Sequence, residues 1–152
     1  MSIRLIVFLV INFGALAIGS LFTSKGVSSD WYFNLNKAPW TPPGWVFGAA
    51  WSLIMISFSF YMANLWSIVE SKKILVGLFA AQLILNIAWN PAFFQFHTIG
   101  FGLLLISALT MLIGFLMINF QGLLKIKSAF IFPYFLWLLI ATSLNAYIFI
   151  KN

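Results

Sequence analysis

The chain has 152 residues, of which 63% are apolar and 7% are charged, and its net charge is +6. Soluble domains are about 45–50% apolar and about 25% charged, so this composition excludes a soluble domain. The chain has no cysteine, and its only histidine and acids are His97, Asp30 and Glu70, which leaves too few groups for a disulfide, a metal centre or a conventional hydrolase.

The apolar runs fit five membrane-spanning helices in a single domain, residues 1–152. A helix crosses a bilayer with about 20 mostly apolar residues, so five of them take up about two-thirds of the chain. The basic residues lie at the ends of these runs and in loops, which is typical of membrane topology and indicates no nucleic-acid partner. We therefore predict an all-α integral membrane protein, a five-transmembrane-helix bundle with spans at about residues 3–22, 45–69, 74–94, 99–120 and 129–150.

The first predicted span has an alternative interpretation as a cleaved signal peptide. Within it, Ala15-Leu16-Ala17 resembles a cleavage site. We favour a retained helix, because the rest of the chain is membrane-like and no secreted domain follows.

The loop at residues 23–44 is the only long hydrophilic stretch of the chain. Pro42 and Pro43 end any helix that comes from upstream and suit the start of the next one. The loop also contains four large aromatic residues, Trp31, Tyr32, Phe33 and Trp40. A solvated linker has no use for such rings, so we predict that the loop folds down as a lid on the bundle or against the membrane interface.

The remaining connections are short, so consecutive spans are antiparallel neighbours. Pro91 lies in the last turn or two of the third span, where a proline kinks or ends a helix. Pro133 lies in the opening turn of the fifth span, where its missing N–H costs least. His97 lies in the turn before the fourth span, and we interpret it as an interfacial residue.

The third span has two different faces when its residues are placed at about 100° intervals. One face sets amides among aromatic rings: Gln82, Asn86, Trp89 and Phe93. The second face carries small residues, which let two helix backbones approach closely. We predict a homodimer interface on this second face, made of Gly77, Ala81, Ala88 and Ala92.

The fifth span repeats the pattern of aromatic rings and amides on one face, with Tyr134, Trp137, Ala141 and Asn145. Polar side chains within a bilayer usually point into the protein. Two facing stripes of this kind predict a cavity in the middle of the bundle. The alternative is that the amides only cross-link helices by hydrogen bonds. In the second span, Trp51 lies so deep that its indole N–H needs a hydrogen-bond partner or a ligand.

Three groups of residues, in chain order, resemble the TspO/MBR family of tryptophan-rich sensory proteins and translocator proteins, which includes the peripheral-type benzodiazepine receptor. The first is Trp31-Tyr32, Leu35, Lys37, Trp40-Thr41-Pro42-Pro43-Gly44-Trp45-Val46-Phe47-Gly48 and Trp51. The second and third are Gln82-Leu83, Leu85-Asn86, Trp89 and Phe93-Phe94, then Pro133-Tyr134, Trp137, Ala141 and Leu144-Asn145. Three residues depart from the family pattern, Ala38, Ala49 and Met55, and ligand preference is what they affect.

The resemblance implies a five-helix bundle, commonly dimeric, with a ligand cavity roofed by the loop after the first helix. Members of this family bind tetrapyrroles such as protoporphyrin IX and haem. The implied function is therefore porphyrin sensing, transport or scavenging by a membrane receptor that requires no cofactor and no metal. The residues implied as ligand-binding are Tyr32, Pro42, Trp51, Asn86, Trp89, Phe93, Trp137, Ala141 and Leu144.

Two alternative functions stay open. Some bacterial members of the family promote light- and oxygen-dependent breakdown of protoporphyrin IX, and by resemblance Trp51 and Trp137 would be the catalytic residues of that activity. The other alternative is a regulatory membrane protein that binds lipid or sterol, since Leu144, Tyr147 and Lys151 match a loose sterol-binding pattern. In either case we expect the chain in the bilayer of a bacterial cell membrane.

The distribution of charge predicts a cytoplasmic N-terminus. Five basic residues fall on the N-terminal side of the membrane: Arg4, Lys72, Lys73, Lys125 and Lys127. Three fall on the other side: Lys25, Lys37 and Lys151. Because basic residues favour the cytoplasmic side, reporter fusions should place the N-terminus in the cytoplasm and the C-terminus outside. A cytoplasmic reporter signal from the C-terminus would overturn this orientation.

Overall fold

The computed structural model describes residues 2–152, and most of them are helical. The helices are α1 (Ser2–Val27), the short α2 (Asp30–Asn34), α3 (Gly44–Ile68), α4 (Lys72–Asn90), α5 (Ile99–Leu124) and α6 (Phe132–Lys151). A π-helix, Pro91–Gln95, extends α4, and a 3₁₀ helix, Lys125–Ile131, joins α5 to α6.

The helices are long and apolar enough to cross a membrane. Within residues 2–152 the candidate spans are Ile3–Val27, Gly44–Ile68, Lys72–Gln95 and Ile99–Lys151. The last of these contains two antiparallel helices, α5 and α6, joined through the 3₁₀ helix without a break in helical structure. The predicted fold class is thus confirmed: the chain is an all-α integral membrane protein with a bundle of five long helices.

The five long helices form a closed ring in the order α1, α3, α6, α5 and α4, with α4 packing back against α1. Sequential helices run in opposite directions, so α1, α4 and α6 end where α3 and α5 begin. The segment Ser28–Pro43 crosses the bundle at this end, which we call the lid end. All the cavity-forming residues described below belong to it.

Two boundaries differ from the sequence prediction. Helix α1 continues to Val27, so the loop predicted at residues 23–44 is shorter and holds α2. Hydroxyl side chains explain the extra turn: Thr23 Oγ1 donates to the Gly19 carbonyl at 3.2 Å, and Ser24 Oγ donates to the Ser20 carbonyl at 2.7 Å. The hydroxyl groups of these residues hydrogen-bond to carbonyls of their own helix, so polar residues alone do not mark where the helix ends.

The connection before α6 also differs, since α5 continues to Leu124 and α6 begins only at Phe132. Lys125 has a φ of 52°, a left-handed conformation that an α-helix cannot continue through. The chain then advances as a 3₁₀ helix before α6 begins.

The middle of the bundle is packed, so the predicted cavity does not extend through it; members of both predicted stripes line a cavity at the lid end, described below. Phe58, Tyr61 and Tyr134 are fully buried there. Gln82 Nε2 on α4 donates to the Tyr134 hydroxyl on α6 at 2.8 Å, and the Tyr61 hydroxyl donates to the Leu116 carbonyl at 2.9 Å. At this depth the amide cross-links two helices, which was the alternative left open by the sequence.

The two predicted faces of α4 differ in burial as expected, with one exception. Gln82, Asn86 and Phe93 are buried and Trp89 is half-buried, so the stripe of amides and rings points inward. On the small-residue face, Gly77 is exposed and Ala81 and Ala88 are half-buried, so they remain available to a second copy. Ala92 is only 4% exposed within one chain and cannot contribute to the predicted dimer interface.

The buried Ala92 belongs to the π-helix rather than to the regular part of α4. Pro91 has no N–H to bond to the preceding turn, and the Phe96 N–H instead donates to the Pro91 carbonyl, five residues back, at 2.9 Å. Beyond Pro91 the helical wheel drawn from the sequence places Phe93 on the inward face, as observed, but it places the buried Ala92 on the other face. The homodimer itself remains a proposal.

Gly26 allows the closest approach between α1 and the π-helix. A Cβ atom built on Gly26 would lie 2.3–2.6 Å from atoms of the Phe94 side chain, its Cβ among them. Such an overlap requires the backbone to move, because the Phe94 Cβ cannot rotate away. Gly14, on the same helix, is exposed and has no atom within 4 Å of its built Cβ.

We predict that Gly26→Ala destabilises the protein by about 1–3 kcal/mol, the usual effect of overpacking, and lowers the thermal unfolding midpoint in detergent. Gly14→Ala is the matched control, and it should leave the midpoint unchanged or raise it slightly because alanine favours helix. Equal midpoints for the two variants would contradict the close packing of Phe94 on Gly26.

Candidate functional site: a cavity under the lid

The lid is built around α2 and the extended residues that follow it. Ser29 begins α2 by accepting a hydrogen bond from the Tyr32 N–H at 3.2 Å, a standard N-cap. This places two aromatic rings of α2 against the π-helix: Trp31 meets Phe93 edge-on at 5.5 Å between centroids, and Tyr32 lies 5.7 Å from Phe94. The predicted lid therefore has an aromatic underside.

Hydrogen bonds fasten the far side of the lid to the end of α6. The Asn36 N–H donates to Asn152 Oδ1 at 2.9 Å, and Asn152 Nδ2 donates to the Asn36 carbonyl at 3.3 Å. Trp40 Nε1 donates to Ser143 Oγ at 3.1 Å, and its ring meets Tyr147 edge-on at 5.4 Å. The lid is thus docked on both the π-helix and α6.

His97 supports the lid from the turn before α5. Its imidazole stacks on the Trp31 indole with centroids 4.0 Å apart and planes 14° from parallel. Its φ of 54° is a left-handed conformation, which reverses the chain between the π-helix and α5. The residue is exposed, and it contacts the lid as well as lying at the end of the bundle.

Beneath the lid lies a cavity of about 50 Å³. The lid, the start of α3, the end of α4 with its π-helix, and α6 all contribute walls. The lining residues are Tyr32, Lys37, Thr41, Phe47, Trp89, Phe93, Phe94, Ala141, Leu144, Asn145 and Ile148.

Five of the predicted ligand-binding residues come together in this lining: Tyr32, Trp89, Phe93, Ala141 and Leu144. They belong to the lid, α4 and α6, which are far apart in sequence. The fold thus brings together, at the lid end, five of the residues that the resemblance implies. Ligand binding by these residues stays a prediction.

Four other predicted residues lie outside the lining. Trp137 is buried and packs edge-on against Phe47, with centroids 5.4 Å apart. Trp51 packs edge-on against Tyr134 at 6.0 Å, deeper in the bundle. Asn86 is buried on α4 one turn before Asn90. Pro42 is half-buried in the lid beside Thr41, which does reach the cavity.

The sequence analysis missed several lining residues as site residues. Leu144, Asn145 and Ile148 follow the i, i+1, i+4 spacing of one helix face, so periodicity could have identified Ile148. Periodicity could not have identified Phe94, because the π-helix turns it to the same side as its neighbour Phe93. The positions of Lys37, Thr41 and Phe47 in the lining depend on the shape of the lid.

Aromatic rings form part of the cavity wall, and hydrogen bonds hold one of them in place. The Trp89 and Phe93 rings lie 5.5 Å apart between centroids and 16° from parallel, so they stack on each other. Trp89 Nε1 donates to Asn145 Oδ1 at 3.0 Å, and Asn145 Nδ2 donates to the Ile99 carbonyl at 3.3 Å. These bonds fix the orientation of the indole, so the wall is preformed.

Polar chemistry in and around the cavity is sparse. Burial raises the pKa of the Tyr32 phenol, so it stays uncharged. The Trp137 indole N–H and Gln82 Oε1 are buried and have no hydrogen-bond partner within residues 2–152. Among residues 2–152, the cavity lining contains no histidine and no carboxylate.

The sterol pattern is divided between two environments. Leu144 lines the cavity, whereas Tyr147 packs against Trp40 of the lid. Lys151 is exposed at the end of α6. The three residues therefore do not form one continuous lipid-facing surface.

We predict that Asn152→Ala combined with Trp40→Phe loosens the lid, because the pair loses the hydrogen bonds of the Asn152 amide to the Asn36 backbone and of the Trp40 indole to Ser143. Hydrogen exchange of residues 35–43 should become faster, while exchange in α5 stays the same. Asn34→Ala is the control, since Asn34 is exposed and makes no side-chain hydrogen bond among the described residues. Unchanged exchange in the double variant would show that these bonds do not hold the lid.

The sequence was compared with families and individual proteins. Residues 6–150 match the TspO/MBR family. Protein CrtK of Rhodobacter capsulatus is 31% identical over 132 residues, which cover 85% of this chain and 80% of that protein. The tryptophan-rich protein TspO of Chlorobaculum tepidum is 35% identical over 134 residues, or 84% of this chain and 82% of that one.

An animal protein is similar over the same extent. The human translocator protein is 28% identical over 132 residues, which cover 84% of this chain and 78% of the human one. The matched region includes the lid, the π-helix and the lining face of α6. Because the family match covers nearly the whole chain, the chain belongs to the TspO/MBR family.

Proposed function

We propose that the protein is a membrane receptor of the transport type that binds tetrapyrroles under the lid. The observation that carries this proposal is the cavity walled by the parallel rings of Trp89 and Phe93 and roofed by Tyr32. A porphyrin is a flat and mostly apolar disc, and each stacking contact with an aromatic ring contributes about 0.5–1.5 kcal/mol beyond burial.

Binding requires the lid to move. The closed cavity holds about 50 Å³, whereas sites for organic ligands hold about 300–1,000 Å³. The lid is fastened by a few hydrogen bonds, each contributing about 0.5–1.5 kcal/mol, so the interactions of a bound macrocycle are large enough to replace them. A ligand of this size therefore enters by displacing the lid.

The names of related proteins, translocator protein and tryptophan-rich sensory protein among them, support a role in transport or sensing. We also place the chain in a bacterial cell membrane with a cytoplasmic N-terminus, as its basic residues favour. In this orientation the lid end faces outward. Photo-oxidative breakdown of porphyrin by Trp51 and Trp137 stays a prediction, since neither ring lines the closed cavity.

We predict that protoporphyrin IX quenches the tryptophan fluorescence of the purified protein at micromolar or lower concentration. Ala141→Leu should weaken this binding about tenfold or more, because three added carbons project from α6 into the cavity, and a lost 1.4 kcal/mol is a factor of ten.

Ala17→Leu is the matched control for this prediction, because Ala17 is exposed on the lipid-facing side of α1. It should bind protoporphyrin IX like the unmodified protein. Equal affinity of the Ala141 and Ala17 variants would mean that porphyrin binds elsewhere, and no quenching of the unmodified protein would refute the proposed function.

A further inference from the structure

The lining of the cavity contains a single charged side chain, Lys37. It projects from the lid and is half-buried, and every other lining residue is uncharged. Its ammonium group lies at the exposed rim of a cavity that is otherwise lined by uncharged side chains. The contacts of its ammonium group therefore indicate what the chamber is built to receive.

The structure gives the Lys37 ammonium only partial compensation. Nζ donates to the Phe33 carbonyl at 3.2 Å. It also lies 4.6 Å from the centroid of the Tyr32 ring and 5.8 Å from that of Phe33. Because Tyr32 is uncharged, none of these partners neutralises the lysine.

No acid is placed to do so either. The chain has two acidic side chains, Asp30 and Glu70. Glu70 lies between α3 and α4, at the opposite end of the bundle from the lid. Asp30 begins α2 and is not among the partners of Lys37 given above. An ammonium group has three N–H donors, so two remain after the bond to Phe33.

We infer that Lys37 recognises a carboxylate on the ligand and makes the site selective for acids over their neutral esters. This inference rests on the proposed function and narrows it to aromatic macrocycles that carry at least one carboxylate at the edge. The ring would stack on Trp89 and Phe93 inside, while the carboxylate stays at the rim and accepts the free N–H groups of Lys37. Hydrogen bonds between two charged groups are about twice as strong as neutral ones.

The test compares protoporphyrin IX with its dimethyl ester, which has the same ring and no negative charge. Both are titrated against the protein in nanodiscs of zwitterionic lipid, so that no anionic headgroup competes, and binding is followed by tryptophan quenching. The unmodified protein should bind the diacid about tenfold more tightly than the ester. Lys37→Gln should weaken diacid binding by the same factor and leave ester binding unchanged, and Lys37→Arg should retain the preference for the diacid.

Lys25→Gln is the matched control, because Lys25 is an exposed lysine at the same end of the bundle and does not line the cavity. It should keep the preference, and the unfolding midpoints of all variants should agree. Equal binding of diacid and ester by the unmodified protein, or a Lys37→Gln variant that weakens both equally, overturns the role of Lys37 and leaves porphyrin binding intact. If neither compound binds, the proposed function fails together with this inference.

Discussion

Lipid chains cannot form hydrogen bonds, and this constraint governs both the helices and the polar residues between them. Every backbone group in the bilayer must bond within its own segment, which permits only helices here. Polar side chains turn inward and pair across helix contacts: Asn12 Nδ2 donates to Ser59 Oγ at 2.8 Å, and the hydroxyls of Thr110 and Thr142 lie 2.9 Å apart. Such bonds contribute about 0.6 kcal/mol each, but they define which faces of α1, α3, α5 and α6 meet.

The same constraint explains what the sequence predicts well. Hydropathy locates the helices because a span must be apolar throughout, and the spacing of Gln82, Asn86 and Trp89 identifies the inward face of α4 because amides avoid lipid. The corresponding stripe on α6 is buried as well. Within the π-helix the periodicity places Phe93 inward, as observed, but it assigns the buried Ala92 to an outer surface.

The parts that escaped prediction depend on contacts between distant residues. Asn36 and Asn152 are 116 positions apart in the sequence, and the residues near them give no signal that the two pair. The size of the cavity depends on how Phe47, Phe94 and Trp137 pack, which hydropathy does not encode. An inward-facing amide predicts a polar contact but not which contact it makes. Gln82 cross-links two helices in the packed centre, whereas Asn145 orients the Trp89 indole in the wall of the cavity.

The π-helix after Pro91 has a further consequence for how such a protein can diversify. An ordinary α-helical turn covers the same distance with about one residue fewer. A relative that lacks one residue of this segment would keep α4 and α5 in register and would lose the inward direction of one of the two adjacent phenyl rings. Single-residue insertions and deletions at this turn therefore alter the volume of the cavity without disturbing the helices around it.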